Sequence, residues 1–188
     1  MEIIWYTAMS MDGRIASSDA SLGFLETIDK SDEAERDFPA FLATIDAVII
    51  GGATMRWLVD AGHGWPHQDL PTWLVSRDAA LVERIGPTQA TLRRVEGPLA
   101  PVVSELQASG AKRVWCCGGG EIAAQLLAID RIDEVIATIA PVALGAGPGL
   151  FGARPLAEQP LFSLEECRPF AGNAVRARWR RARAQTSR

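Results

Sequence analysis

Lysine is nearly missing from this chain: Lys30 and Lys112 are the only two in 188 residues, and arginine carries the rest of the positive charge. Acidic residues outnumber basic ones and the net charge is −4. That balance lacks the broad cationic surface that general nucleic-acid binding requires. No apolar run approaches the roughly 20 residues of a membrane span. Met1 to Ala8 carries Glu2 and has neither a basic start nor a long apolar stretch, so it does not read as a secretion signal. Cysteine is scarce, with Cys116 and Cys117 adjacent and Cys167 far off. An odd count without ligand spacing excludes a disulfide framework and predicts buried strand thiols in a reducing compartment. The expected location is therefore the cytoplasm. The two histidines, His63 and His67, would suit a metal at their spacing only on a helix, which Gly64 and Pro66 oppose. No metal site is expected.

What is present is ordinary globular material, 48% hydrophobic and 22% charged, in a length that suits one domain. Glu2 to Ala8 reads as a buried strand, followed by a polar loop from Ser10 to Ser21. Ser31 suits an N-cap for a helix to about Thr44, which Pro39 interrupts. Further strands are expected at Ala47–Ile50, Thr72–Ser76, Thr91–Val95, Arg113–Cys117 and Glu134–Ile139. The intervening helices are expected at Thr54–Val59, Pro101–Ser109 and Glu121–Ala128. Two final strands, near Leu161–Cys167 and Ala174–Arg180, follow one another without a helix. In the last, Val175, Ala177 and Trp179 alternate with arginines, which predicts a half-buried edge strand with a charged outer face. Strands alternating with helices and then with each other imply one α/β domain over residues 1–188. Its sheet is mixed and mostly parallel with an antiparallel C-terminal edge, and residues 182–188 are expected to fray.

Four segments carry candidate chemistry. Val114 to Glu121 runs from a buried strand through Gly118, Gly119 and Gly120 into a helix. Such a turn lets backbone N–H groups and a helix N-terminus meet a dinucleotide phosphate. It comes too late in the chain, and without the acid about 20 residues on, for a Rossmann domain. Ile49 to Thr54 repeats the pattern of strand, glycines and helix start. Ser76 and Arg77 end a strand and suit an extra phosphate such as the 2′-phosphate of NADPH. In the loop from Ala8 to Ala16, the Asp12-Gly13 pair favours a turn, and Asp12 and Arg14 suit a polar substrate.

In order, these segments resemble the C-terminal reductase domain of the bifunctional riboflavin-biosynthesis enzyme, within the dihydrofolate-reductase-like superfamily. Thr7 to Ala16 is similar to its A-x-S-x-D-G-x-x-A segment, and Asp46 to Thr54 to its D-A-hydrophobic-G-x-x-T segment. Cys117 to Glu121, then Arg131 to Val135 and Ala140 to Gly145, are similar to its G-G-x, D-E and P-x-x-L-G signature. The resemblance covers Ile3 to about Arg181.

The resemblance implies a three-layer α/β/α fold of eight or nine strands, commonly a homodimer, that binds NADPH and reduces a small heterocyclic substrate, expected to be 5-amino-6-(5-phosphoribosylamino)uracil or a similar compound. It implies that Ala8 and the loop from Asp12 to Ser18, including Ser17, flank the nicotinamide. Gly52, Thr54, Gly118, Gly119, Gly120 and Glu121 then meet the phosphates, and Ser76 and Arg77 the 2′-phosphate. Asp12 and Asp37 are the candidate proton donors, and Arg14 and Arg56 the candidates for a substrate anion. Met55-Arg56-Trp57 stands where riboflavin-pathway members carry Asp-Pro, and without Cys/His zinc spacing in these residues no deaminase half is expected among them. Asp37 also resembles the acid with which dihydrofolate reductase holds its pteridine. Reduction of a pteridine or simple carbonyl, and nucleotide binding without catalysis, are the alternatives.

Overall fold

The computed structural model describes residues 1–28, 31–85, 91–153, 155–157 and 159–183. Among them, eight strands form one sheet: β1 (Glu2–Ser10), β2 (Ala47–Gly51), β3 (Thr72–Val75), β4 (Leu92–Val95), β5 (Arg113–Gly118), β6 (Glu134–Ala140), β7 (Phe162–Phe170) and β8 (Ala174–Arg181). Their order is β4-β3-β2-β5-β1-β6-β8-β7. The first six in that order run parallel, and β8 is antiparallel to both of its neighbours, β6 and β7. The helices are α1 (Asp32–Leu42), α2 (Gly52–Asp60), α3 (Ala80–Ile85), α4 (Leu99–Ala108) and α5 (Gly120–Ala128).

Side-chain alternation along the strands splits the core into two layers. On one face Ile3, Trp5, Ile49 and Cys116 pack under α4 and α5. On the other Ile4, Val48, Ile50 and Trp115 pack against Phe41 of α1, Met55 of α2 and Leu81 and Ile85 of α3. The fully buried run of β2 is what a parallel strand covered on both faces requires. This is the mixed α/β sheet that the alternation of elements predicts, in the three layers that the family resemblance implies.

Several local expectations need correction. Pro39 lies inside α1 without ending it. α4 starts at Leu99, two residues before the expected Pro101, which sits in its first turn where a missing N–H costs nothing. α3 leaves no periodic signal in the sequence, because its six residues hold too few apolar positions to show one. Cys116 is buried as expected, but Cys167 is exposed on β7. β8 is not the edge strand: β7 covers it. Its arginines do not form a solvated face either. Arg176 is only 4% exposed and donates from Nη2 to Asp37 Oδ2 at 2.6 Å. Its guanidinium stacks on the rings of Tyr6 and Phe170. Arg178 pairs with the fully buried Glu134. At the expected frayed end, Ala182 N–H donates to Leu161 O at 2.9 Å and Arg183 pairs with Asp133 at 2.6 Å. Residues 184–188 lie outside the described residues.

Candidate functional site

A cleft of about 670 Å³ opens where β1, β2, β3 and β5 end. Parallel strands leave their C-terminal ends on one edge of the sheet, and crevices there are where open α/β sheets take ligands. Strand β1 presents Thr7 and Ala8, and the glycine turns after β2 and β5 present Gly52, Thr54, Gly118, Gly119, Gly120 and Glu121. The two turns are thus brought side by side although their glycines are more than 60 residues apart in the chain. Neither α2 nor α5 has a side-chain cap: Gly51 and Gly119 stand at the N-cap positions. Their first N–H groups are left for a ligand or water, beside a partial positive charge.

The glycines have different reasons. Gly118 adopts φ +131°, which side chains rarely adopt, and the Trp5 ring lies beneath it. A Cβ on Gly120 would come within 2.3 Å of the Gly149 carbonyl, so the loop 149–152 needs glycine there in order to pass. A Cβ on Gly119 would meet nothing closer than Thr54 Oγ1 at 3.4 Å. Of the three, Gly119 alone is held neither by a positive φ nor by a close contact, and it faces the cleft. The register between β2 and β5 slips at this point: Ile49 pairs with Cys116 and Ile50 with Gly118. Cys117 is left over, and a strand irregularity of this kind re-aims a side chain. Cys117 lines the cleft, and burial pushes its thiol well above the usual range.

The opposite wall is the loop after β1. Arg14 pairs across an isolated bridge with Gly149, and its Nη1 donates to Gly147 O at 3.0 Å. Arg14 Nε and Trp5 Nε1 are buried without a hydrogen-bond partner among the described residues. Both residues line the cleft. Buried donors left unpaired cost about 1–3 kcal/mol each, so the cleft offers unused donors to something rich in acceptors.

The other expected site residues sit elsewhere. Asp12 does not line the cleft. Its Oδ1 accepts from the Ser10 hydroxyl at 2.5 Å and from Leu144 N–H at 3.0 Å, and its Oδ2 from Gly145 N–H at 2.8 Å. Those bonds lower its pKa to about 2, which suits an anchor between two loops rather than a proton donor. Asp37 lies behind β1, where Oδ2 accepts from the Tyr6 hydroxyl at 2.5 Å and from Arg176. Burial, together with that bond, raises Tyr6 to about 12. Ser17 lies in the loop over the cleft and bonds to Asp19. Ser76 and Arg77 follow β3, outside the cleft lining. Ser76 is buried beside the start of α2, where a Cβ on Gly52 would come within 2.7 Å of its Oγ. Arg77 is exposed. Glu121 Oε1 accepts from Ala153 N–H at 3.1 Å, so this side chain secures the loop. Arg56 faces a second cavity and stands 3.7 Å from Asp78.

Sequence reasoning missed Trp5, Trp57 and Cys117 as cleft residues. Trp5 and Cys117 read as plain strand positions, and Trp57 lies on an outer face of α2. Nothing in local sequence shows which strand ends converge.

The RibD C-terminal domain model matches residues 59–175. The chain belongs to the RibD C-terminal domain family. It is 29% identical to the Bacillus subtilis protein YwjB over 181 residues, covering 95% of this chain and 97% of that one. A riboflavin biosynthesis protein from Shewanella superposes with a TM-score of 0.84 at 24% identity, covering 97% of this chain and all of the other. The Thermotoga maritima diaminohydroxyphosphoribosylaminopyrimidine deaminase/5-amino-6-(5-phosphoribosylamino)uracil reductase superposes with a TM-score of 0.69 at 14% identity. There the match covers 96% of this chain and 56% of the longer protein. These likenesses establish the dihydrofolate-reductase-like fold of a RibD reductase domain. Among the described residues no helix is long and apolar enough to cross a membrane.

Proposed function

We propose that this protein is an NADPH-dependent reductase that transfers a hydride to a C=N or C=O group of a small heterocyclic substrate. The observation that carries the reading is the pairing of two uncapped helix N-termini, α2 and α5, on one cleft beneath a β1 strand end. Gly52, Thr54, Gly119 and Gly120 would hold the diphosphate. Thr7, Ala8 and Ile15 would form the wall against the nicotinamide ring, which supplies the hydride when bound. The loop from Asp12 to Ser18 excludes water. Arg14 offers a cation beside the reacting group.

The exposed Arg77, next to Ser76 and the α2 N-terminus, is the proposed reader of a 2′-phosphate. The free thiols Cys116, Cys117 and Cys167 suit a reducing cytoplasm, and a homodimer is the assembly that the family resemblance favours. Neither Asp12 nor Asp37 reaches the cleft, so the proton that completes the reduction is assigned to water at its mouth. A pteridine anchored on Asp37 is disfavoured, because Arg176 and Tyr6 already occupy that carboxylate.

The test is calorimetric titration with NADPH and, separately, NADH. NADPH should bind more tightly, and Arg77→Gln should remove about tenfold of that preference, the loss of one charge-assisted hydrogen bond. Equal binding of both would overturn the role of Arg77. Binding of neither would leave the glycine turns structural and the reductase reading wrong.

A further inference from the structure

Strands β1 and β5 pair as far as Trp5 with Cys116 and then part. Beyond that pair β1 continues to Ser10 beside β6 alone. Strand β5 goes on to Gly118 beside β2, across the slip that leaves Cys117 over. The sheet is therefore split beyond Cys116, with β1 on one side and the β5 turn on the other. Thr7 and Ala8 stand on the first side and Cys117 and Gly118 on the second, and all four line the cleft. Trp5 closes the root of the split. It is 1% exposed, its ring lies under Gly118, and its Nε1–H has no acceptor among the described residues. An unpaired donor at the root of an open slot calls for an acceptor brought by a ligand.

A slot between two strands suits a flat group. Successive residues of β5 alternate between the two core layers, Cys116 with Trp5 and Cys117 with Tyr6 and Trp115. Cys117 thus stands where the slot passes from the layer of α5, with its glycine turn, to the layer of α1 and α2. Its side chain is half-buried. Burial keeps the thiol protonated, and a protonated thiol is a poor nucleophile towards an electrophilic ring beside it. We infer that Cys117 forms the floor under the nicotinamide end of the cofactor, and that the small size of its side chain sets how deep the ring enters the slot. This rests on the reductase reading, in which Thr7, Ala8 and Ile15 wall the same ring.

The test compares NADPH with 2′-phosphoadenosine 5′-diphosphoribose, which carries the same phosphates and lacks the nicotinamide. Both are titrated calorimetrically into the parent, Cys117→Ala, Cys117→Val and Cys117→Leu. The analogue should bind each protein alike, which also shows that each variant is folded. NADPH affinity should fall as the side chain grows, least in Cys117→Ala and by about tenfold to a hundredfold in Cys117→Leu, the usual cost of overpacking a fitted site. A second measurement needs no variant at Cys117. In the indole N–H spectrum of the nitrogen-labelled parent, the Trp5 signal, assigned with Trp5→Phe, should shift on adding NADPH and stay in place with the analogue. Equal losses for both ligands in Cys117→Val and Cys117→Leu, undiminished NADPH binding in Cys117→Leu, or an unmoved Trp5 signal would overturn the inference. Failure of the parent to bind NADPH defeats the reductase reading and the inference with it. NADPH binding that ignores the size of the side chain defeats the inference alone.

Discussion

On the cleft side of the sheet, donors are left unclaimed: the helix N-termini that follow β2 and β5, Trp5 Nε1 on β1 and Arg14 Nε in the loop after it. On the β8 side the ionic groups face one another. Arg176 meets Asp37, Arg178 meets Glu134, and Arg180 meets Glu2 and Glu165. The same sheet thus carries one region closed upon itself and one open to a ligand. Uncapped helix N-termini mark the candidate site; a buried unpaired donor alone does not, since Arg176 Nε on the β8 side also has no hydrogen-bond partner among the described residues. Asp37 and Arg176 draw attention by their chemistry, yet the charges of the two are paired with each other.

That contrast can be broken most severely at Arg176. Arg176→Met removes one partner of a mostly buried pair and should destabilise the fold by about 3 kcal/mol, with NADPH affinity nearly unchanged. A denaturant titration measures the loss. Asp37→Leu combined with Arg176→Met should recover part of it, because no buried charge is then left alone. A loss below about 1 kcal/mol in the single variant would mean that the β8 side is not closed in this way.

The next effect compares two adjacent glycines. Gly120→Ala forces a methyl group to within 2.3 Å of a backbone oxygen and should cost about 2 kcal/mol of stability by overpacking. Gly119→Ala meets only ordinary contacts, so its melting temperature should hold while NADPH affinity falls about tenfold, as expected for disturbing a phosphate contact. Similar stability losses in both would remove the distinction between a packing glycine and a ligand-facing one.

A spectroscopic check is sharper but smaller. Tyr6 is the only tyrosine in the chain, so tyrosinate absorbance reports it alone. The hydroxyl should stay protonated at pH 10, its ordinary midpoint, and titrate near 12. Because the folded value is raised, the contribution to stability is complete below pH 10 and is lost as pH rises towards 12. Asp37→Asn should lower the midpoint, since the carboxylate bond helps to raise it. Asp12 gives the smallest effect and the opposite sign. Its folded value is depressed from 3.8 to about 2, so its contribution is present above about pH 4 and disappears as pH falls towards 2. Asp12→Asn should flatten that part of the acid limb in a plot of denaturation midpoint against pH.

The strand–glycine–helix units were legible because each is local. Val114 to Glu121 states a buried strand, a turn and a helix start within eight residues. The mixed, mostly parallel α/β sheet followed from the alternation of such units, and its three-layer arrangement from the family resemblance. What sequence could not show was partnership. Alternation in β8 correctly separated Arg176, Arg178 and Arg180 from Val175, Ala177 and Trp179. It could not show that Asp37, 139 positions away, and Glu134 would cover the arginines. Asp12 looked available for chemistry because its partners, Leu144 and Gly145, lie more than 130 residues on. The second cavity escaped notice for the same reason, since it is assembled from the loop after β1 and the outer side of α2.

The seam between residues 11–16 and 142–150 has an evolutionary consequence. Met11 bonds to Val142, Asp12 to Leu144 and Gly145, Ile15 to Pro148, and Leu150 returns a bond to Gly13. A Cβ on Gly147 would come within 2.1 Å of the Ala16 carbonyl. Two stretches well over 100 residues apart in the chain therefore mutate under a joint constraint. Among descendants of a common ancestor, replacement of Asp12 should be accompanied by altered length or composition around positions 144–147, and recombination that separates the two should yield defective offspring.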